Sequence, residues 1–386
     1  MSYRPPQRPQ RGSQRPQQPP RGPREHQQAQ QLPLPGREGG HQRTQPQRPR
    51  QHPQQTRQAS QQRRPQTAKA KRRRPRIGRV LLAIALVFVL FLGAVWVYLE
   101  FSINRTDALT NYAGRPPAAE GTNWLLVGSD SRQGLSEEQR EKLSTGKAGG
   151  RRTDTIMIAH IPDNDTKPTL LSIPRDSLVQ VPGHGTAKIN AAFSWGGPSL
   201  LAKTVEQATG LRIDHYIEIG FGGFANVVDA IGGVELNIPQ RMHDTLTGVT
   251  IPAGHQTLNG AEALGFVRMR HSEATPRSDL DRIANQRKFI GAMADELASP
   301  DTLLNPFQLF PLLSALPDAI TLDTEDHLHH LVGLGWAMRG IGSDGVVTTT
   351  VPVTSPSAKQ WDPQQAQALF DALRNDTPVP ESVIMH

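Results

Sequence analysis

Between residues 123 and 176, three short aliphatic runs each meet a cluster of charge. Trp124-Leu125-Leu126-Val127 runs into Gly128-Ser129-Asp130-Ser131-Arg132, Arg151-Arg152-Thr153-Asp154 leads into Thr155-Ile156-Met157-Ile158, and Thr169-Leu170-Leu171-Ser172-Ile173 runs into Pro174-Arg175-Asp176. Carboxylates are oxygen ligands for a hard divalent cation, and guanidinium forks match phosphate oxygens bidentately, so Asp and Arg together point to a metal-phosphate group. A strand-end salt bridge is the simpler account of any one pair. Three pairs on consecutive runs favour a shared site.

Such residues need elements that bring them together. The runs lack polar alternation, as expected of strands buried on both faces with their charges at the sheet's rim. Strand and helix patterns alternate along the chain, which argues for a layered α/β domain: a central mixed β-sheet with helices on both faces. The pattern predicts a polar helix or loop over 136–145, a turn at Gly183-His184-Gly185, and a helix from Pro198 or Ser199 that Gly210 closes. Strand, helix and strand follow over 213–219, 224–231 and 234–238, then a hairpin over 243–251. Asn259 opens a helix carrying Arg268 and Arg270, which are two apart and converge only where a helix ends and the chain extends; the 271–277 segment, with Pro276, supplies that ending. On the next helix, 281–297, Arg282 and Gln286 share a face that a phosphate could use, although a solvated surface has the same spacing. Helices over 311–320, 327–339 and 363–373 and a strand over 346–353 complete the domain.

The segments GSDSR (128–132), RTDT (152–155), SIPRD (172–176) and KIN (188–190) resemble, in order and spacing, the LytR-CpsA-Psr family of cell-envelope proteins. HYIEIGFGGFANVVDAIGGVEL (215–236), ALGFVRMR (263–270) and DLDRIANQ (279–286) fit as well, so the resemblance covers about 123–297. It implies a phosphotransferase that moves a glycopolymer 1-phosphate from a polyprenyl pyrophosphate carrier to a peptidoglycan hydroxyl. On that reading Asp130 and Asp154 hold magnesium, with manganese as a substitute. Arg152, Arg175, Lys188, Arg268, Arg270, Arg282 and Gln286 bind the pyrophosphate, and Arg152, Arg175, Asp176 and Arg282 form the catalytic set. The general base stays open between Asp154 and Asp176, a metal-bound carboxylate being a poor proton acceptor. A pyrophosphatase using the same site and a noncatalytic envelope attenuator are the alternatives. The family usually carries an Arg just before the matched Gln and a Gln just after it; this chain has Asn285 and Arg287. The cationic side is one guanidinium short unless Arg287 compensates.

Residues 1–79 hold 20 Lys/Arg against 2 Asp/Glu, with Pro, Gln and Arg dominating, and the remainder carries 23 against 33. The tail cannot bury enough apolar surface to offset the entropy of ordering, so it reads as disordered. Residues 80–99 are an unbroken uncharged run, about the length that crosses a roughly 30 Å hydrocarbon core as a helix. Lys71, Arg72, Arg73, Arg74, Arg76 and Arg79 precede it and Glu100 follows, so the positive-inside rule places the tail in the cytoplasm and the rest outside, beyond a stalk over 100–121. The domain then spans 122–386. No helix-turn-helix, zinc spacing or RNA-binding signature accompanies the basic tail, which argues against a specific nucleic-acid partner; the resemblance implies a lipid-linked glycopolymer and peptidoglycan as partners, and the apolar run adds the bilayer. Gly220-Phe221-Gly222-Gly223 lacks the spacing of a nucleotide loop, and His327 and His330 lack an evident third metal ligand.

Overall fold

The computed structural model describes residues 77–130, 152–245, 248–270, 272–277, 279–341, 344–355 and 357–385. The basic tail up to residue 76 and the 136–145 segment lie outside these. The strands are β1 (Asn104–Thr106), β2 (Thr122–Ser129), β3 (Thr153–Ile161), β4 (Thr169–Ser172), β5 (Leu178–Val181), β6 (Gly185–Lys188) and β7 (His215–Gly220). They continue with β8 (Val234–Ile238), β9 (Met242–His243), β10 (Thr250–Ile251), β11 (Gly254–Leu258), β12 (Ile320–Asp323) and β13 (Val347–Thr350). Among the described residues, seven form one sheet in the order β1-β12-β7-β2-β3-β4-β13. It is mixed: β2 pairs antiparallel with β3 and parallel with β7, and β3 pairs antiparallel with β4.

Side chains alternate between the faces of a strand, and both faces here are covered. Leu125, Val127, Ile156 and Ile158 pack on one side beneath helices Ile189–Thr209 and Pro363–Arg374. Trp124, Met157 and Ala159 pack on the other, beneath helices that include Phe221–Ala230, Gly260–Arg268, Asp279–Leu297 and Pro306–Ala319. Two cores on one sheet explain why these strands read as continuous apolar runs.

The helix closed by Gly210 (φ 69°) starts at Pro198 as expected, because Gly196 and Gly197 leave helical geometry and split Ile189–Thr209 in two; the first piece, from Ile189, had not been read. Two expectations need correction. The 100–121 stretch is not a plain stalk: β1 lies parallel to β12, and the backbone N–H groups of Ala108 and Leu109 both donate to Asp323 Oδ1 at 2.8 Å. A three-residue Asn-Arg-Thr strand has no apolar period to announce it. β12 is the other: the expected helix over 311–320 takes in only its first residue, Ile320, and no strand is expected over 321–323.

The apolar helix runs Ile77–Ser102, 26 residues, beyond the 80–99 run at both ends. At its domain end Glu100 Oε1 pairs with Arg105 Nη2 at 2.6 Å and its Oε2 accepts from Leu328 N at 2.9 Å.

The face that carries the site includes close helix crossings, of which Gly223 makes one. A Cβ on Gly223 would lie 2.1 Å from Ala319 Cα, a backbone atom that cannot turn aside. Gly223→Ala should therefore force helices Phe221–Ala230 and Pro306–Ala319 apart, costing about 1–3 kcal/mol. A lower Tm in a thermal melt checks this, and an unchanged Tm refutes it.

Candidate active site

The three charged strand ends do meet at one edge. β2 and β3 are antiparallel with a register shift between Gly128 and Ser129, so the end of β2 turns onto the start of β3. Asp130 N donates to Arg152 O at 2.9 Å, and Arg152 N donates to Asp130 Oδ1 at 2.6 Å. Past β4, Ile173 N donates to Ile156 O at 2.8 Å, and a turn closed by Ser177 N on Pro174 O sets Arg175 and Asp176 at its central positions. Arg175 Nη1 there donates to Asp154 Oδ1.

A second set of charges arrives from two helices. Asn259 caps Gly260–Arg268 through a capping box with Glu262, and Met269 at the other end is extended (φ −60°, ψ 126°). That ending lets Arg268 and Arg270 converge as the sequence reading required. Arg270 N donates to Asp244 Oδ2 at 3.0 Å, and the Arg268 guanidinium lies 4.7 Å from the centre of the Phe221 ring. On helix Asp279–Leu297, Arg282, Gln286, Phe289, Ile290 and Met293 lie along one face.

These elements enclose a cavity of about 440 Å³. Asp154, Arg175, Arg268, Arg270, Arg282 and Gln286 line its charged part, and Met157, Ile217, Phe224, Leu264 and Met293 are among those lining the rest. Along helix Asp279–Leu297 the lining passes from Arg282 to Met293, about 16 Å at the helical rise of about 1.5 Å per residue. The cavity is therefore amphipathic along its length.

Asp279, which the sequence reading left out of the site, anchors the cationic side. Its Oδ1 lies 2.7 Å from Arg270 Nε and 3.2 Å from Arg282 Nη1. The Arg270 contact is close enough for an ion pair but is not aligned as a hydrogen bond, since Arg270 Nε and Asp279 Oδ1 both count among the buried atoms without a hydrogen-bond partner. Arg175 Nε and Arg282 Nε are in the same condition. Buried guanidinium N–H groups left in this state suit an anion with several oxygens. The Arg282 side chain is only 2% exposed. Burial pushes its pKa down to about 10, with Arg175 and Arg270 working in the same direction against Asp279 and Asp154. Burial also lowers Arg175, but Asp154, Asp279 and Asp176 outweigh it and hold that guanidinium above its ordinary value.

Other residues of the expected set stand outside the cavity lining. Burial raises the Asp176 carboxyl, yet the hydrogen bond from Lys188, whose Nζ is 3.0 Å away, together with the Arg175 and Arg270 charges, brings it below the ordinary range. Arg152 is exposed and meets Asp130 through its backbone. Arg287 does not fill the missing guanidinium's place: its Nη1 donates to Met385 O at 3.3 Å. Asp244, which also lines the cavity, and Asp279 were missed because neither ends an apolar run; the signal for Asp279 was its three-residue spacing to Arg282.

A separate cluster joins His215, Asp326 and His330, whose candidate ligand atoms lie within 4.8 Å of one another. Hydrogen bonds account for it. Asp326 Oδ1 pairs with His215 Nδ1, its Oδ2 accepts from Tyr216 N at 2.9 Å, and His330 Nδ1 accepts from His327 N at 3.2 Å.

A model described as the LytR_cpsA_psr family matches residues 101–375. The probable cell wall biosynthesis protein LcpB of Corynebacterium glutamicum is 51% identical over 301 residues, 76% of this chain and 70% of that protein. Cell wall biosynthesis protein LcpA of the same organism is 34% identical over 306 residues, 68% of this chain and 58% of its own length, so the chain spans less than two thirds of it. Among solved structures, the LytR-Csp2A-Psr enzyme from Actinomyces oris aligns with TM-score 0.55 and 21% identity, covering 70% of this chain and 96% of that one. TagT bound to LI-WTA aligns with TM-score 0.50 and 25% identity, covering 67% and 90%. At 21% identity the first of these likenesses shows the fold alone.

Proposed function

This chain belongs to the LytR-CpsA-Psr family of cell wall proteins, and from that premise we propose that it transfers a glycopolymer 1-phosphate from a polyprenyl pyrophosphate carrier to a peptidoglycan hydroxyl. The amphipathic cavity is the observation that carries this reading. A pyrophosphate fits among Arg175, Arg268, Arg270 and Arg282, and an isoprenoid chain fits along the apolar lining from Phe224 to Met293. In the transfer, the hydroxyl oxygen bonds to the glycan-linked phosphorus and the bond to the bridging oxygen breaks. Polyprenyl phosphate departs with the electron pair. The four guanidinium groups hold the oxygens on which charge grows.

Asp130 and Asp154 would hold magnesium. Their carboxylates sit where two paired strands end, a hard-oxygen set that suits such a cation, which when bound neutralises charge on the pyrophosphate. The proton of the attacking hydroxyl goes to a carboxylate, Asp154 or Asp176; against the effect of burial, Lys188 and Arg175 hold the Asp176 carboxyl below its ordinary range, which keeps it ionised and makes it the weaker acceptor. The helix Ile77–Ser102 is apolar and long enough to cross a membrane; we place it there, with the tail in the cytoplasm and the domain outside.

Incubation of the purified full chain with lipid-linked glycan, magnesium and peptidoglycan tests the reading. Phosphate-linked glycan should appear on the wall polymer. Release of free glycan phosphate instead identifies a pyrophosphatase, and no turnover at all a noncatalytic protein. Asp130→Ala and Asp154→Ala should both raise the magnesium concentration needed for half-maximal transfer, and unchanged dependence in both overturns the metal assignment.

A further inference from the structure

We propose that helices Pro306–Ala319 and Leu328–Ala337 form a second lipid-contacting surface, so that the domain lies partly sunk in the bilayer beside its apolar helix. The inference rests on the reading of Ile77–Ser102 as a membrane span.

The first observation is one of depth. The Phe91 and Phe310 rings meet edge to face, 6.1 Å between centroids. Phe91 stands eight residues before Leu99, the last apolar residue ahead of Glu100, which is about 12 Å back along the helix at about 1.5 Å per residue. A bilayer leaflet contributes about half of a roughly 30 Å hydrocarbon core. A side chain that touches Phe91 therefore lies well inside the leaflet if Phe91 does.

The second observation is composition. Residues 306–317 contain no charged side chain. Leu304, Phe307 and Phe310 are 82%, 86% and 54% exposed, and on helix Leu328–Ala337, which like Pro306–Ala319 packs against the apolar helix, Val332 and Trp336, four residues apart, are 56% and 69% exposed. Water is a poor solvent for such a patch. Arg339 lies 3.9 Å from the centre of the Trp336 ring, an aromatic and a cation together as found where a membrane meets water.

The third is rigidity. Glu100 at the end of the span receives hydrogen bonds from Arg105 and from Leu328 N, and pairs with His327 Nδ1 at 2.8 Å. The span is thus bonded to the first turn of helix Leu328–Ala337 and cannot swing away as a free tether does. Because the patch adjoins the span itself, the occupant is lipid; a soluble partner would have to enter the hydrocarbon to reach Phe310.

The test uses the full chain in bilayers whose acyl chains carry bromine, which quenches nearby tryptophan. The Trp96 and Trp336 signals are each taken as the difference between the parent and a Trp96→Phe or Trp336→Phe variant. Both should lose emission on bromination, and Phe307→Asp should restore the Trp336 signal while leaving Trp96 quenched. Phe307 is almost wholly exposed, so this change spares the core. Quenching of Trp96 without Trp336 overturns the second surface and leaves the anchor standing. Quenching of neither overturns both.

Discussion

Arg175→Ala loses roughly ten- to hundredfold in kcat/KM for glycan transfer, the loss expected when one charge-assisted phosphate contact goes. Arg175→Lys recovers little of it, because an ammonium is a point charge and cannot reproduce a planar fork. The geometry adds an expectation about magnesium. Arg175 and a cation compete for the same Asp154 carboxylate. Removing the arginine therefore leaves the magnesium requirement unchanged or lowers it, while Asp154→Ala raises it. Magnesium titrations of transfer by the two variants, with thermal melts alongside, decide the matter. If Arg175→Ala lowers Tm and the folded protein still transfers at the parent rate, the pair is a strand-end salt bridge and the clamp assignment falls.

Asp279→Ala should be the most destabilising change in the site. It leaves Arg270 and the buried Arg282 facing each other without the carboxylate between them, and breaking a buried pair from one side costs about 3–5 kcal/mol. Arg282→Met should cost much less, since Asp279 keeps Arg270 at 2.7 Å and the thioether fills the space. Inorganic pyrophosphate should raise the Tm of Asp279→Ala more than that of the parent, an anion standing in for the lost one. Equal melts for the parent and Asp279→Ala would show that solvent, and not Asp279, neutralises these arginines.

The parts of this site that were legible in the sequence are those where charge interrupts an apolar run. Asp154, Arg175 and the strands behind them announce themselves in this way, and so does the pair Arg268 and Arg270, where a helical pattern stops before Pro276. Asp244 and Asp279 could not be read so easily: neither stands at the end of an apolar run, and Asp244, which lines the cavity, meets Arg270 only after the chain has folded back over 26 residues. Arg152 and Lys188, with Asp130 and Asp176, belong to the motifs but are not among the residues that line the cavity. In the fold, Ile156 to Ala159 gave a clear signal because both faces of the strand are buried. β1 and β12 gave none, since each is short and takes its strand character from a partner far along the chain.

That last pairing bears on how the protein comes to be made. Asn104 finds its partner only in Thr321, and Val347 closes the opposite edge of the sheet against Thr169. Synthesis from the N-terminus makes β1, β2, β3 and β4 long before β12, which joins β1 to β7, or β13 exists. Until Asp323 is made, β7 and β1 lack the strand that pairs with both, and until Thr350 is made the β4 margin lacks its partner, the condition that invites pairing with another chain. Sheets assembled from such distant segments also close slowly. Completion of the sheet is thus the step of biogenesis most open to failure, and a truncation that removes β13 should be degraded even though every residue of the cavity is still encoded.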